Sequence, residues 1–500
     1  MTLQRSPFIS RSNRKVEAIS VLLLCALAGV ASAQTVVSAE KILAVGDIPS
    51  WSNAAPVTAV DTAFTNIDGQ VGFVGTVTPA AGTARVFAFR EGFTPFFADS
   101  ALPSTTLTGR EGTMGIGSNG QFVYSPSING NDGIWSSNGY IVSDGDPVPD
   151  LSGKFFSFAS RPTLFGESSF AFIAGFSNTV GGASADRALY RGDLSSSGLT
   201  RVYKTGDVLN GETLRFATPT MSFLYDFSDN GEHLIHIMGV GGGSSAANNF
   251  VNRDGLWIAK PSQALPGSPF AKVAWNTFSG VSINNAGEWV IFGVSSNFDV
   301  GAATNFVAFN GVDALHRTAT VDGITLTTGV VRAASVNNFS QVAHLWSYGS
   351  GSVTPKVLFV GPGNDLASST AIVKIGDLAD LNADGVGDFR VYDLPEIVSI
   401  TAALDLSDDG KVTTRVVLEP LGGGTRFDAI LRFCYQDCSV GACPECAADY
   451  DQSGGVDGAD IESFFIDWSA SVTCADIDLS GGVDGSDIES FFTIWSAGGC

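Results

Sequence analysis

The feature that most constrains this chain is a turn followed by a short apolar strand, which recurs seven times between Gln34 and Arg432. The copies lie at residues 66–69, 118–120, 166, 228–231, 284–287, 337–340 and 407–410. Runs rich in Val, Ile, Phe and Thr follow these turns, and almost no sustained helical period lies between them. The sequence therefore predicts an all-β body built from a repeated unit.

A second signal, a Gly-Asp turn, recurs out of phase with the first. Examples are Gly46-Asp47, Gly145-Asp146, Gly206-Asp207 and Gly376-Asp377. Because each unit contains both turns, it must hold several strands, and units of about fifty to seventy residues with about four strands match propeller blades. We predict a seven-bladed β-propeller over residues 34–432. Two or more β-sandwich domains remain the alternative.

The repeated unit resembles the NxxGxxxAF-type repeats of secreted bacterial proteins. The alanine before phenylalanine in that pattern is clearest in Phe170-Ala171-Phe172, and in the copy at 337–340 serine replaces the glycine. The family is defined by its repeat and carries no assigned chemistry. The resemblance thus implies a β-repeat fold and no particular activity.

The N-terminus has the pattern of a cleaved export signal. Basic residues at positions 5, 11, 14 and 15 precede an apolar run at 18–30, and Ala31-Ser32-Ala33 follows. This order predicts a signal peptide over residues 1–33, a secreted or surface-exposed protein, and no membrane span after cleavage. An uncleaved anchor is the alternative, although the apolar run is short for a bilayer.

Six cysteines remain after residue 33, and all of them lie beyond residue 433. They are Cys434, Cys438, Cys443, Cys446, Cys474 and Cys500. An even, clustered set in an exported protein predicts three disulfides, with the first four cysteines in a Cys-rich linker at 433–448. A zinc site formed by those four cysteines is the alternative.

The segment from Phe433 to Cys500 is acidic throughout, with thirteen Asp and Glu and no Lys or Arg. The whole chain has 50 acidic and 27 basic residues, a charge that disfavours nucleic acid as a partner. Because the carboxylates of the tail would repel one another, the segment needs a cation to become compact.

Two loops in this tail have the spacing of calcium ligands. Oxygen side chains stand at loop positions 1, 3, 5, 9 and 12, glycine stands at position 6, and position 7 offers a backbone carbonyl. The predicted ligands of the first loop are Asp449, Asp451, Ser453, Gly455, Asp457 and Asp460. Those of the second loop are Asp476, Asp478, Ser480, Gly482, Asp484 and Asp487. We predict two bound Ca²⁺ ions.

An apolar stripe with helical spacing follows each loop. It comprises Ile461, Phe464, Phe465 and Trp468 after the first loop, and Ile488, Phe491, Phe492 and Trp495 after the second. These positions predict one short amphipathic helix after each loop. The incoming helix of an EF-hand is missing.

A calcium loop with only its exit helix, duplicated within residues 449–500, resembles the dockerin module of cellulosomal enzymes. The flanking cysteines are similar to those of the GC-type dockerin of secreted planctomycete-type proteins. The resemblance implies the twelve calcium ligands named above and a cohesin-like or surface protein as partner. At loop positions 10 and 11, which help to choose the cohesin in that family, this chain has Gly458-Ala459 and Gly485-Ser486. The usual hydroxyl pair is absent.

A third loop in the body has part of the same pattern. Asp380, Asn382, Asp384 and Asp388 stand at loop positions 1, 3, 5 and 9, whereas Val391 occupies position 12. We regard it as a surface loop and a candidate third calcium site.

The sequence contains no recognisable catalytic constellation, such as a nucleophile elbow, a zinc-protease motif or a phosphate loop. Our first hypothesis is a secreted, non-catalytic binding or display protein attached through its calcium-dependent tail. The alternative is a polysaccharide-active propeller enzyme, a glycoside hydrolase or lyase, attached in the same way.

Overall fold

The structure, a computed structural model, describes 35–66, 68–80, 83–97, 107–117, 119–128, 131–184, 186–196, 198–215, 224–241, 248–268, 273–297, 303–349, 354–382, 385–394, 404–435, 446–450, 455–469, 473–475, 477 and 483–497. The predicted signal peptide at 1–33 lies outside these residues. So do Cys438, Cys443 and Cys500, and the three-disulfide arrangement therefore stays a prediction.

Within the described residues the body consists of five four-stranded sheets, two six-stranded sheets and one two-stranded ribbon. We number the larger sheets 1 to 7 along the chain. Sheet 1 contains β2 (Val57–Thr65), β3 (Val71–Val77), β4 (Arg85–Arg90) and β5 (Phe93–Phe97). Sheet 2 contains β6 (Leu107–Ile116), β7 (Phe122–Ile128), β8 (Asn131–Ser136) and β9 (Gly139–Ser143). Sheet 3 contains β10 (Phe155–Phe165), β11 (Ser169–Ser177), β12 (Asp186–Asp193) and β13 (Leu199–Lys204).

Sheet 4 contains β14 (Val208–Leu209), β15 (Glu212–Arg215), β16 (Tyr225–Phe227), β17 (Leu234–Val240), β18 (Asn249–Arg253) and β19 (Leu256–Ala259). Sheet 5 contains β20 (Val273–Ile283), β21 (Trp289–Asn297), β22 (Ala303–Phe309) and β23 (Val312–His316). The ribbon contains β24 (Thr320–Val321) and β25 (Ile324–Thr325). Sheet 6 contains β26 (Val330–Val336), β27 (Gln341–Ser347), β28 (Lys356–Pro362) and β29 (Thr370–Lys374).

Sheet 7 combines both ends of the body. It contains β30 (Leu378–Asp380), β31 (Phe389–Asp393), β32 (Leu404–Leu406), β33 (Lys411–Pro420), β34 (Phe427–Cys434) and the first strand of the chain, β1 (Val36–Ala44). β1 pairs antiparallel with β34, from Ala39 opposite Phe433 to Ala44 opposite Ala429. The N-terminal strand therefore completes the last sheet of the body.

The sheets follow one another around a ring, and apolar residues fill the space between each pair of neighbours. Seven separate clusters of buried residues join sheets 1–2, 2–3, 3–4, 4–5, 5–6, 6–7 and 7–1. Inner strands such as β3 and β17 are buried on both faces, because they have a neighbouring sheet on each side. The body is thus an all-β, propeller-like ring of repeated sheets, in agreement with the predicted architecture.

Each of the seven predicted turns joins two antiparallel neighbouring strands of one sheet, the first of which lines the central cavity. In the turn before β3, the Asn66 carbonyl accepts the Gly69 N–H and its side-chain Oδ1 accepts the Gln70 N–H. Gly69 has a φ of 74°, and Ser340 takes the same left-handed conformation at 59° in the copy that lacks glycine. The asparagine side chain and the left-handed residue together form the hairpin.

The Gly-Asp turns lie directly after strands. Gly46 and Gly206 lie two residues after β1 and β13, with φ values of 99° and 89°, and the following aspartate accepts the N–H three residues before it. After β23 the equivalent residue is Thr318, with a φ of 93°. A β-branched residue is strained in this conformation.

Thr318→Gly is therefore expected to stabilise the protein by about 1 kcal/mol, because glycine adopts this φ without strain. Denaturant unfolding of both proteins measures the difference. Gly206→Ala is the matched reciprocal change, since no atom lies within 4 Å of the added Cβ and only the backbone penalty remains. Loss of stability in Thr318→Gly would contradict the assignment of strain.

The described part of the tail contains two α-helices, α1 (Gly458–Ser469) and α2 (Gly485–Ala497), and one turn of 3-10 helix at Thr473–Ala475. Both α-helices lie where the apolar spacing predicts a helix. In the described part of the chain, no helix has the length and apolarity needed to cross a membrane.

Candidate functional sites: the central cavity and the tail loops

A cavity of about 300 Å³ lies where the innermost strands of the seven sheets meet. Its lining residues come from the strand before the repeated turn in each larger sheet and from the turns themselves. These strands are β2, β6, β10, β16, β20, β26 and β32. Every sheet therefore contributes to one shared cavity, as expected at the centre of a propeller.

Sheets 4 to 7 give this cavity a polar wall that also joins neighbouring sheets. Asp226 on β16 accepts the Ile283 N–H at 3.0 Å, and Asp405 on β32 accepts the Thr65 N–H at 2.9 Å. The Ser282 hydroxyl likewise accepts the Val336 N–H at 3.3 Å. These side chains satisfy the N–H groups of strands that would otherwise present an unpaired sheet edge to the cavity.

A chain of hydrogen bonds continues along the turns at one end of the cavity. Asn285 Oδ1 accepts the Asn230 N–H at 2.8 Å, and Asn338 Oδ1 accepts the Asn285 N–H at 2.7 Å. Asp408 Oδ1 in turn accepts the Asn338 N–H at 2.8 Å, and its Oδ2 accepts a bond from Asn338 Nδ2. In these three turns the second residue, Asn285, Asn338 or Asp408, accepts the hydrogen bond from the turn of the preceding sheet.

The carboxyl groups of the polar wall have raised pKa values. Burial, with added repulsion from Asp405 and Asp229, raises the pKa of Asp226 to about 8. Burial and the charges of Asp405 and Asp408 raise the pKa of Asp229 to about 6, and burial also raises the pKa of Asp405. Asp226 and Asp405 are half-buried, and Asp229 is exposed, where these groups border the cavity.

The shift at Asp226 predicts a loss of stability with rising pH. In the folded ring Asp226 keeps its proton up to about pH 8, whereas the ordinary value is 3.8. The folded state binds more protons in this window, so the free energy of unfolding falls as pH rises from about 4 to about 8. Asp226→Asn should flatten this fall, measured by denaturant unfolding at about pH 5 and about pH 8. If the free energy of unfolding fell equally between these pH values in both proteins, the raised pKa of Asp226 would be contradicted.

Sheets 1 to 3 give the opposite, mainly apolar wall. It includes Phe64, Met114, Ile116 and Leu164, whereas Arg161 brings a positive charge. Arg161 lies in a bulge of β10 with a φ of 55°, a conformation that non-glycine residues seldom adopt. The cavity therefore has one acidic and one apolar side. Its aromatic rings pack on one another, as Phe165 stacks on Phe227 at 4.2 Å.

In the tail, the structure describes six of the twelve predicted calcium ligands: Asp449, Gly455, Asp457, Asp460, Asp484 and Asp487. The other six, Asp451, Ser453, Asp476, Asp478, Ser480 and Gly482, lie outside the described residues. Among the residues it does describe, no group of three or more His, Cys, Asp or Glu side chains is placed to hold a metal ion.

The described ends of the two loops have the same hydrogen bonds. The Asp457 N–H donates to Asp460 Oδ2 at 2.7 Å, and the Asp484 N–H donates to Asp487 Oδ2 at 2.7 Å. Asp460 and Asp487 are completely buried. Buried carboxylates in a tail without Lys or Arg need a positive partner, and oxygen donors of this kind suit Ca²⁺. The ions themselves stay a prediction.

The two helices pack through their aromatic residues. Phe464 and Phe491 are completely buried and stack with ring centroids 4.0 Å apart, and Tyr450 contacts both rings edge-on. Trp468 Nε1 donates to the Asp484 carbonyl at 2.8 Å, and Trp495 Nε1 donates to the Asp457 carbonyl at 3.0 Å. The repeats therefore form one small core.

The third candidate loop is partly described. Asp380 Oδ2 accepts the Gly385 N–H at 2.8 Å, and Asp388 Oδ2 accepts the Leu381 N–H at 2.9 Å. Asn382 donates to both aspartates, through its N–H and its side-chain amide. Asp384 lies outside the described residues, and a calcium ion at this loop stays a prediction.

Sequence reasoning did not single out the acidic wall of the cavity. A signal was present, because Asp226 and Asp405 each stand two residues before the serine that begins a repeated turn. An aspartate at this position in two copies of the repeat, where other copies have serine or an apolar residue, indicates an inward-facing carboxyl group.

No family model and no curated protein matches this chain. Several solved structures align with it. A protein of unknown function from Dyadobacter fermentans is 11% identical over 79% of this chain and 99% of its own, with a TM-score of 0.29. The GH93 α-L-arabinofuranosidase of Fusarium graminearum is 10% identical over 79% and 98%, with a TM-score of 0.26. An endo-arabinase from Bacteroides thetaiotaomicron is 10% identical over 66% and 96%, also with a TM-score of 0.26. At these scores the likenesses carry no argument about function.

Proposed function

We propose that this protein is a secreted, non-catalytic binding or display protein, attached to a cohesin-like or surface partner through a calcium-dependent tail. The observation that carries the proposal is the duplicated tail unit. Each copy joins a loop with calcium-ligand spacing to a helix, and each buries the position-12 carboxylate, Asp460 or Asp487. Calcium would neutralise these carboxylates and let the helices pack.

The body in this proposal is a seven-bladed propeller. Seven repeated turns, seven sheets of at least four strands and seven apolar interfaces between neighbouring sheets support this count. The central cavity is its ligand-binding site, for which a polysaccharide end or a smaller polar molecule is a candidate.

A non-catalytic role is favoured by how the acidic wall is used. Asp405 receives the Thr65 N–H and the Ser335 hydroxyl, and Asp408 receives two bonds from Asn338. Carboxylates that connect neighbouring sheets are less available for proton transfer to a ligand.

Calorimetric titration of Ca²⁺ into the chelator-treated full chain, with hydrogen exchange recorded in parallel, tests the proposal. We expect two ions per chain and slow amide exchange in α1 and α2 only when calcium is present. Asp460→Asn with Asp487→Asn is the matched variant, because both amides keep the side-chain shape without the charge. No heat and no change in α1 or α2 would refute a calcium-dependent tail.

The enzyme hypothesis remains a second candidate, since Asp226 and Asp229 hold carboxyl groups with different pKa values in one cavity. Incubation with a panel of polysaccharides, followed by measurement of reducing ends, separates the two functions. Products from the wild type that are absent with Asp226→Asn would favour the enzyme. Binding without products would favour the first proposal.

A further inference from the structure

The two helices of the tail are connected to each other's loops. Trp468 lies on the helix after the first loop, and its indole donates to the carbonyl of Asp484 in the second loop. Trp495 lies on the helix after the second loop, and its indole donates to the carbonyl of Asp457 in the first. Both hydrogen bonds therefore cross between the repeats.

The residue that accepts each crossing bond also donates its N–H to a carboxylate of the same loop. The Asp457 N–H donates to the buried Asp460 carboxylate, and the Asp457 carbonyl receives the Trp495 indole. Asp484 is held in the same way by Asp487 and Trp468. Two predicted ligands of each loop are thus joined to one another and to the opposite helix.

We propose that Trp468 and Trp495 are positioning residues that couple the two calcium loops, an inference that rests on the proposed calcium function. An ion in the first loop orders that loop and the helix that follows it. This helix carries Trp468, which holds the Asp484 segment of the second loop in place for its own ion. The reverse path runs through Trp495, so each ion strengthens the binding of the other.

Replacing either tryptophan with phenylalanine tests the bond, because phenylalanine keeps one aromatic ring in the core and lacks the N–H donor. The change also makes the side chain smaller by one ring. The ring contacts of Trp468 with Phe465 and of Trp495 with Phe492 are at 6.2 and 6.3 Å. If the tryptophans only packed in the core, the phenylalanine variants would keep most of the calcium affinity of the wild type.

The test is a calcium titration of the full chain with amide exchange measured separately in residues 455–460 and 483–487. For each segment we measure the calcium concentration at which half of the amide protection is reached. We expect Trp468→Phe to raise this concentration by about 3- to 10-fold for 483–487 and by less for 455–460. Trp495→Phe should give the opposite pattern. Midpoints that do not move, or that move mainly in the loop before the substituted helix, would overturn the coupling.

A second measurement needs no variant. With ¹⁵N-labelled tryptophan, the indole N–H protons of Trp468 and Trp495 should exchange slowly in calcium and rapidly in chelator. Rapid exchange of both in saturating calcium would overturn the inference while leaving two-ion binding intact. Absence of calcium binding by the wild type would instead refute the proposed function, and the coupling with it.

Discussion

Arg432→Met is expected to lower the free energy of unfolding of the body by about 3 kcal/mol. Arg432 on β34 is buried and donates to Glu40 on β1, to the Gly69 carbonyl and to Glu91 after β4. Burial alone would lower its pKa, but bonds to Glu91 and Glu40 outweigh that effect and raise it. One guanidinium therefore joins the last strand, the first strand and the first sheet of the ring.

Denaturant unfolding followed by near-ultraviolet circular dichroism measures this effect. Arg426→Met is the matched control, because Arg426 is nearly half exposed and pairs with Glu419 on the neighbouring strand of the same sheet. We expect that change to cost less than about 1 kcal/mol. Arg432→Lys should recover only part of the loss, since an ammonium group cannot replace the forked guanidinium. Equal stability of the Arg432→Met and Arg426→Met variants would show that the arginine does not hold the ring together.

Phe491→Ala is expected to abolish the protected state of both tail helices. The ring is completely buried and stacks on Phe464, and its removal costs about 3–5 kcal/mol in a core of this kind. A tail with so few buried residues has little stability to lose. Hydrogen exchange of 458–469 and 485–497 in the calcium-saturated full chain measures the effect.

Thr493→Ala is the control on the same helix, because the Thr493 side chain is exposed and its hydroxyl donates to the Glu489 carbonyl within that helix. We expect nearly unchanged protection in that variant. Slow exchange of α1 in the Phe491→Ala variant would mean that the two helices do not depend on a common core.

Features that depend on neighbouring residues could be predicted from the sequence. The hairpin at Asn66 is formed by its own side chain and by Gly69, and the faces of α1 and α2 follow from the spacing of Phe464 and Phe491. For the same reason the sequence predicts where both tail helices lie.

Contacts between distant parts of the chain could not be predicted in this way. Asp405 meets Thr65 because the last sheet lies beside the first in the ring, and Arg432 meets Glu40 because β34 pairs with β1. No local pattern encodes that adjacency. The acidic cavity arises from it, because charges that are far apart in sequence converge on the axis and raise one another's pKa values.

Pairing of β1 with β34 has a consequence for biosynthesis. β1 is the first strand of the body to leave the ribosome, and its partner is the last. Until β34 arrives, β1 has no antiparallel neighbour, and its backbone groups can pair with another nascent chain. Completion of the last sheet must therefore wait until β34 has left the ribosome, about 390 residues after β1.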